Sequence, residues 1–310
     1  MIVQIEVQIH SFLFVNIQNC HFDFLVESNE EIIGIEIYLI FVTRILLFSP
    51  TMSDTLNFSI EGNVAKIILS RPEVYNSFNK DMALAMQDIL DQCASDTDVR
   101  AIYITGAGKA FSAGQDLSEV VEATDLPIEK IVAEHYNPIV KRIRIIEKPV
   151  VAAINGVAAG AGANIALACD VVIAAESASF IQAFSKIGLI PDSGGTFFLP
   201  RLIGFQKASA LMMLGDKISA QQAESMNMIY KCIPDNQFVE ESWKIAVKLS
   251  QMPTKGLGFT KQLLNQTISN DLEAQLQMED EMQAAAGKTE DYAEGVKAFL
   301  EKRKPVFKGL

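Results

Sequence analysis

A chain of 310 residues, 49% hydrophobic and 21% charged, has the composition of a globular protein large enough for one sizeable core. Its formal net charge of -12 excludes a partner held mainly through its phosphates, so no nucleic-acid ligand is expected. Cys20, Cys93, Cys169 and Cys232 are far apart and form no CxxC pair, which excludes a zinc ribbon and a disulfide framework and fits a reducing, cytoplasmic setting.

Residues 1–51 do not share the composition of the rest. They hold ten isoleucines and six phenylalanines, and Arg44 is their one basic residue against Glu6, Asp23, Glu27, Glu30, Glu31 and Glu36. The apolar run 32–48 is short for a membrane span and carries Glu36 and Arg44, each costly in a bilayer. It also lacks the charged opening and small-residue cleavage site of a signal peptide. The segment reads as an upstream extension whose true start is Met52, with a membrane or targeting element as the second reading, and no membrane partner is expected for the remainder. The expected organisation is an extension over 1–51, a core over 52–250 and a helical region over 251–310.

From Leu56 the pattern alternates, and 56–61 and 64–70 flank Gly62-Asn63 as a two-strand hairpin. Residues 80–93 carry apolar side chains at helical spacing, and 101–105 reads as a buried strand. A glycine-bounded loop follows over 106–117. An amphipathic helix is expected over 127–147, a short buried strand over 150–154, and a helix of small residues over 160–168. Residues 171–174 form the next strand, and after Gly188 the chain turns through Ile190-Pro191-Asp192 into another helix. Only helices are expected beyond Gln206. Strand and helix units followed by a helical tail predict an α/β layered core. The apolar faces of that tail, with Leu272, Leu276, Phe299 and Leu300, serve either packing within the chain or an oligomer interface.

Familiar catalytic signatures fail. Gly106-Ala107-Gly108 and Gly160-Ala161-Gly162 are followed by Phe111 and Ile165 where a dinucleotide loop needs glycine. Ser112 and Ser193 lack one arm of GxSxG, and His135, the one histidine beyond residue 51, is expected to be solvent-facing or lightly packed. No acid and histidine cluster suggests a metal. What remains is two small-residue turns, Phe111-Ser112-Ala113-Gly114-Gln115-Asp116-Leu117 after a strand and Gly160-Ala161-Gly162-Ala163-Asn164 opening a helix. Free N–H groups in such turns suit negative charge developing on an oxygen, although glycine-rich turns also serve simply as packing devices.

These turns, with Asn155-Gly156-Val157-Ala158-Ala159, Gly188-Leu189-Ile190-Pro191-Asp192-Ser193-Gly194-Gly195-Thr196, Arg71-Pro72-Glu73-Val74-Tyr75-Asn76-Ser77-Phe78 and Glu294-Gly295-Val296-Lys297-Ala298-Phe299, closely resemble the enoyl-CoA hydratase/isomerase (crotonase) family. The resemblance spans nearly all of 52–310. It implies a crotonase-like spiral of ββα units with a C-terminal helical oligomerisation region, assembled as a homotrimer or a dimer of trimers. It implies an acyl-CoA substrate and no metal or redox cofactor, coenzyme A being part of the substrate. By position, the backbone N–H groups of Gln115 and Ala161 would form an oxyanion hole, with Ala113, Asp116 and Leu117 beside the CoA. Phe299 and Lys302 would reach the CoA of a neighbouring subunit.

The positions at which hydratases of the family hold two glutamates match Asn164 and Phe184 here, and neither can carry a proton for adding water. Asp192 remains as a single carboxylate able to remove a proton and return it elsewhere, and it is also expected to cap a helix beginning near Ser193. Residues 183–192 resemble the subgroup of the family that isomerises 1,2-epoxyphenylacetyl-CoA in phenylacetate breakdown, and Tyr136-Asn137-Pro138 agrees with it. A general 3-enoyl to 2-enoyl-CoA isomerase and an inert scaffold of the same fold stay open as alternatives.

Overall fold

The computed structural model describes residues 54–122 and 127–310; the expectations for residues 1–51 lie outside them. The hairpin is present as β1 (Leu56–Glu61) and β2 (Val64–Leu69), paired antiparallel. Helix α1 (Lys80–Ser95) is capped by the Asn79 side chain, which accepts the Met82 N–H, and it buries the predicted face of Met82, Met86, Ile89 and Leu90.

The next segments repeat one plan. Strand β3 (Ala101–Gly106) is followed by β4 (Ala110–Ser112) and α2 (Leu117–Glu122). Strand β5 (Val150–Ile154) is followed by β6 (Val157–Ala159) and α5 (Gly160–Leu167), and β7 (Val171–Ala175) by β8 (Ser179–Ile181). The first strand of each pair joins a six-stranded sheet, ordered β1-β2-β3-β5-β7 and then β10 (Lys231–Ile233), and the second joins a four-stranded sheet, ordered β4-β6-β8 and then β9 (Lys217–Ser219). Successive units therefore wind as a spiral of ββα turns. The β3, β5 and β7 pairings are parallel and every residue of β5 is buried, which is why those strands read as continuous apolar runs.

The chain between α2 and β5 departs from one amphipathic helix. It comprises α3 (Ile128–Lys130), a π-helical turn (Ile131–Tyr136) and α4 (Asn137–Ile145). A π-turn holds an extra residue and shifts the phase of the inward face. This corrects the expectation for His135, which is 2% exposed. Burial, the largest influence on its imidazole, lowers its pKa.

The tail is also not purely helical. After α6 (Gly195–Ile203) and α7 (Phe205–Leu214), β9 (Lys217–Ser219) closes the small sheet, and β10 (Lys231–Ile233), beyond α8 (Ala220–Ser225), closes the large one. Helices α9 (Asp235–Ser250), α10 (Thr254–Gln266), α11 (Leu272–Ala286) and α12 (Glu290–Leu300) complete the chain. Three-residue strands carry too little periodicity to separate them from loops. Among the described residues, no helix is long and apolar enough to cross a membrane.

Candidate active site

The small sheet brings the two glycine turns together. β4 and β6 are parallel neighbours, so the turns that follow them emerge side by side. A parallel bridge joins Phe78 to Gln115 through the flanking groups: Phe78 N donates to Gly114 O at 2.7 Å and Asp116 N donates to Phe78 O at 2.9 Å. In that pattern the N–H of Gln115 faces away from Phe78. Ala161 is the second residue of α5, where helix geometry supplies no acceptor for its N–H.

Contact between the turns is close. Gly114 has φ +91°, and a Cβ built there would lie 3.0 Å from Ala159 O and 3.2 Å from Ala161 N. A Cβ on Gly162 would lie 2.6 Å from Ser112 Cβ. Both positions need glycine so that the backbones can approach. The turn after β4 is thus held against the opening of α5, with the Gln115 and Ala161 amides on adjoining backbone. Among the described residues neither amide donates a hydrogen bond. Ala113, by contrast, spends its N–H on Tyr75 O at 2.9 Å.

Asp192 lies between a 3-10 turn (Ala183–Ile187) and α6. Its backbone carbonyl accepts from Asn164 Nδ2 at 2.9 Å and from Gly195 N at 2.8 Å. Its carboxylate Oδ1 accepts from Ser193 Oγ at 2.9 Å. Ser193 is 1% exposed and holds φ +51°, a left-handed conformation that a side chain seldom adopts. Burial is the largest influence on the Asp192 carboxyl, and although the Ser193 hydroxyl opposes it, the pKa rises to about 6. The helix-cap expectation is corrected here. Gly194 is the cap residue of α6 and no side chain caps that end, because Ser193 and Gly194 both turn left-handed and delay the helix to Gly195.

Asn164 and Phe184 take supporting places. Asn164 is fully buried and receives Gln182 Nε2 at 2.8 Å while it holds the Asp192 carbonyl. The Phe184 ring lies 3.8 Å from where a Gly160 Cβ would stand, so it covers the opening of α5. Two residues that the sequence did not place join the site. Tyr136 donates its hydroxyl to Gln115 Oε1, and Gln115 Nε2 donates to Glu119 Oε2 at 3.2 Å. Burial pushes the Tyr136 phenol well above its usual pKa, and the charges of Asp192, Glu119 and Asp116 push it further. Tyr136 therefore lies within electrostatic reach of the carboxylate of Asp192.

The residues expected around CoA are dispersed. Ala113 and Leu117 are exposed beside the first turn. Asp116 is buried and pairs with Arg71 at 2.9 Å. Burial would raise its carboxyl, but hydrogen bonds from Ser118 and Arg71 prevail and hold it below the usual range. Phe299 is 82% exposed at the end of α12, and Lys302 follows it with φ +53°. Phe299 borders an apolar cavity of about 450 Å³ with Tyr292, Val296 and Phe307, apart from the groups gathered at Asp192. A larger cavity of about 840 Å³ lies between α1, α4 and the C-terminal tail and contains none of the site residues.

Removing the Ser193 hydroxyl is expected to raise the Asp192 pKa further. A carboxylate acting as base must be ionised, so the acid limb of the kcat/KM profile for Ser193→Ala should move to higher pH. A shift on the order of one pH unit is the scale of one hydrogen bond to a carboxylate. Superimposable pH profiles for parent and variant would deny the hydroxyl that influence.

A family profile described as enoyl-CoA hydratase/isomerase matches residues 59–310. The chain is 45% identical over 255 residues to a 1,2-epoxyphenylacetyl-CoA isomerase of Escherichia coli K12, covering 81% of this chain and 97% of that protein. It is 43% identical over 256 residues to a probable enoyl-CoA hydratase of Rhodobacter capsulatus, covering 82% and 98%. An enoyl-CoA hydratase structure from Bacillus anthracis superposes with a TM-score of 0.79 at 35% identity, covering 83% of this chain and all of that one.

Proposed function

The chain belongs to the enoyl-CoA hydratase/isomerase family, and from that membership we propose that it is a CoA-thioester isomerase that converts 1,2-epoxyphenylacetyl-CoA to oxepin-CoA. The observation that carries this reading is the half-buried carboxylate of Asp192, its pKa raised to about 6, in a site where Asn164 and Phe184 stand at the positions of the two hydratase glutamates. Addition of water needs one group to take a proton and another to give one. Isomerisation needs only one group that does both in turn.

In the proposed mechanism the Asp192 carboxylate removes a proton from the carbon beside the thioester carbonyl. Electrons move onto the thioester oxygen, where the N–H groups of Gln115 and Ala161 receive the charge. A preorganised donor of this kind contributes on the order of 3 kcal/mol to the transition state. The bond between the two epoxide carbons breaks while both carbon–oxygen bonds are kept, which expands the six-membered ring to the seven-membered oxepin. The proton held by Asp192 returns to a ring carbon further along the conjugated system, so no atom is gained or lost. A carboxyl with a pKa of about 6 suits both halves, since it is mostly ionised at pH 7 and still a competent acid once protonated. Ala113 and Leu117 would border the CoA of the same chain. The exposed Phe299 and Leu300 support an assembly of three or six copies in which Phe299 and Lys302 reach a neighbour's CoA.

The acyl group is tested by supplying 1,2-epoxyphenylacetyl-CoA and a 3-enoyl-CoA to the same preparation and identifying the products. Oxepin-CoA as the faster-formed product is the expected result. Turnover of the 3-enoyl thioester alone would make the chain a general enoyl-CoA isomerase using the same base, and no turnover of either would leave an inert scaffold.

A further inference from the structure

We infer that Tyr136 is a positioning residue for the oxyanion hole, acting through the Gln115 side chain to hold the Gln115 backbone N–H on its aim. The inference rests on the reading of Gln115 and Ala161 as the oxyanion donors.

Gln115 is fastened on several sides. Its backbone is bridged to Phe78. Its side-chain oxygen accepts the Tyr136 hydroxyl, and its side-chain nitrogen donates both to Glu119 Oε2 and to Asp116 O, each at 3.2 Å. Glu119 is itself held, since its Oε1 accepts the backbone N–H of Lys80 at 2.9 Å. The Phe78 ring meets Tyr136 edge-on, with centroids 6.1 Å apart, so Tyr136 contacts the element that bridges Gln115 as well as Gln115 itself. Tyr136 is 1% exposed and its hydroxyl stays protonated, because burial and the charges of Asp192, Glu119 and Asp116 all oppose its ionisation. The donor is therefore present at every pH at which the carboxylate of Asp192 can work.

This arrangement has a physical rationale. A backbone N–H contributes to catalysis only if it points at the charged oxygen without first reorganising. The turn at Gln115 follows a three-residue strand and precedes a six-residue helix, and neither element is long enough to fix an amide by itself. The π-turn is what sets Tyr136 facing inward at this point of the helix. Loss of the hydroxyl leaves Gln115 Oε1 without its partner and lets the turn relax, while substrate contacts elsewhere are untouched.

The test uses Tyr136→Phe, which keeps the ring and its contact with Phe78. Turnover is expected to fall by roughly ten- to a hundredfold, the scale of a modest misplacement of a catalytic group, with KM changed less than twofold. A readout independent of turnover is acetoacetyl-CoA, whose bound enolate absorbs in the near ultraviolet. Tyr136→Phe should raise the pH at which that absorbance appears. Gln115→Leu should do the same, and adding Tyr136→Phe to Gln115→Leu should cost nothing more, because both changes cut one path. Independent, additive losses would overturn the inference, as would an unchanged enolate signal in a folded Tyr136→Phe protein. Should Tyr136→Phe fail to fold, an unaltered enolate signal in Gln115→Leu would overturn it instead. A parent protein that gives no enolate signal at all would mark failure of the oxyanion-hole reading itself.

Discussion

Asp192→Asn is expected to lower isomerase turnover by roughly a hundredfold or more, the usual scale for loss of a general base, with substrate binding largely kept. Asparagine keeps the size of the side chain and can still accept the Ser193 hydroxyl, and the Asn164 contact uses the backbone of residue 192. The fold should therefore survive, and stability at neutral pH should hold or rise. In the unfolded chain Asp192 ionises near 3.8, whereas the folded protein keeps its proton up to about 6. The folded state binds the extra proton across that window, so burying this carboxylate costs stability that begins near pH 3.8 and is fully felt above pH 6. Removing the charge at pH 7 relieves a cost on the order of 1–3 kcal/mol. Melting curves at pH 7 check this: a variant both inactive and markedly less stable would point to a structural role for Asp192.

Gly114→Ala is expected to cost on the order of a hundred- to a thousandfold in turnover, as removal of an oxyanion donor does. Two effects act together. A φ of +91° is strained for any residue with a side chain, and the new Cβ would stand 3.2 Å from Ala161 N and 3.0 Å from Ala159 O. The turns must separate, and separation misdirects both the Gln115 and the Ala161 amides. The loss should appear in kcat more than in KM, since the oxyanion exists only along the reaction path. Comparable kcat for parent and Gly114→Ala would mean that these turns only pack together.

Much of the fold was legible because parallel strands buried on both faces become unbroken apolar runs, as in β3 and β5. The small sheet was not legible. Strands β4, β6, β8 and β9 have three residues each, and their pairing joins segments tens of residues apart. Yet this sheet is what sets the two glycine turns side by side. His135 was misplaced because a helical period cannot anticipate a π-turn. The same turn brings Tyr136 to Gln115, a contact 21 residues apart in sequence that no local pattern encodes. Asp192 and the two turns were legible as motifs. The left-handed pair Ser193-Gly194, which separates Asp192 from the helix it was expected to cap, became apparent only from backbone angles.

The most direct measurement of the central claim compares two reactions of the unaltered protein. With Asn164 and Phe184 at the positions where hydratases of the family hold two glutamates, crotonyl-CoA hydration is expected to be at least about a hundredfold slower than isomerisation of 1,2-epoxyphenylacetyl-CoA, for want of that carboxylate pair. Both rates can be followed in one preparation by the loss of the enoyl thioester absorbance and by chromatography of the CoA products. Fast isomerisation with barely detectable hydration is the predicted result; hydration of crotonyl-CoA as fast as or faster than any isomerisation would contradict the single-carboxylate mechanism.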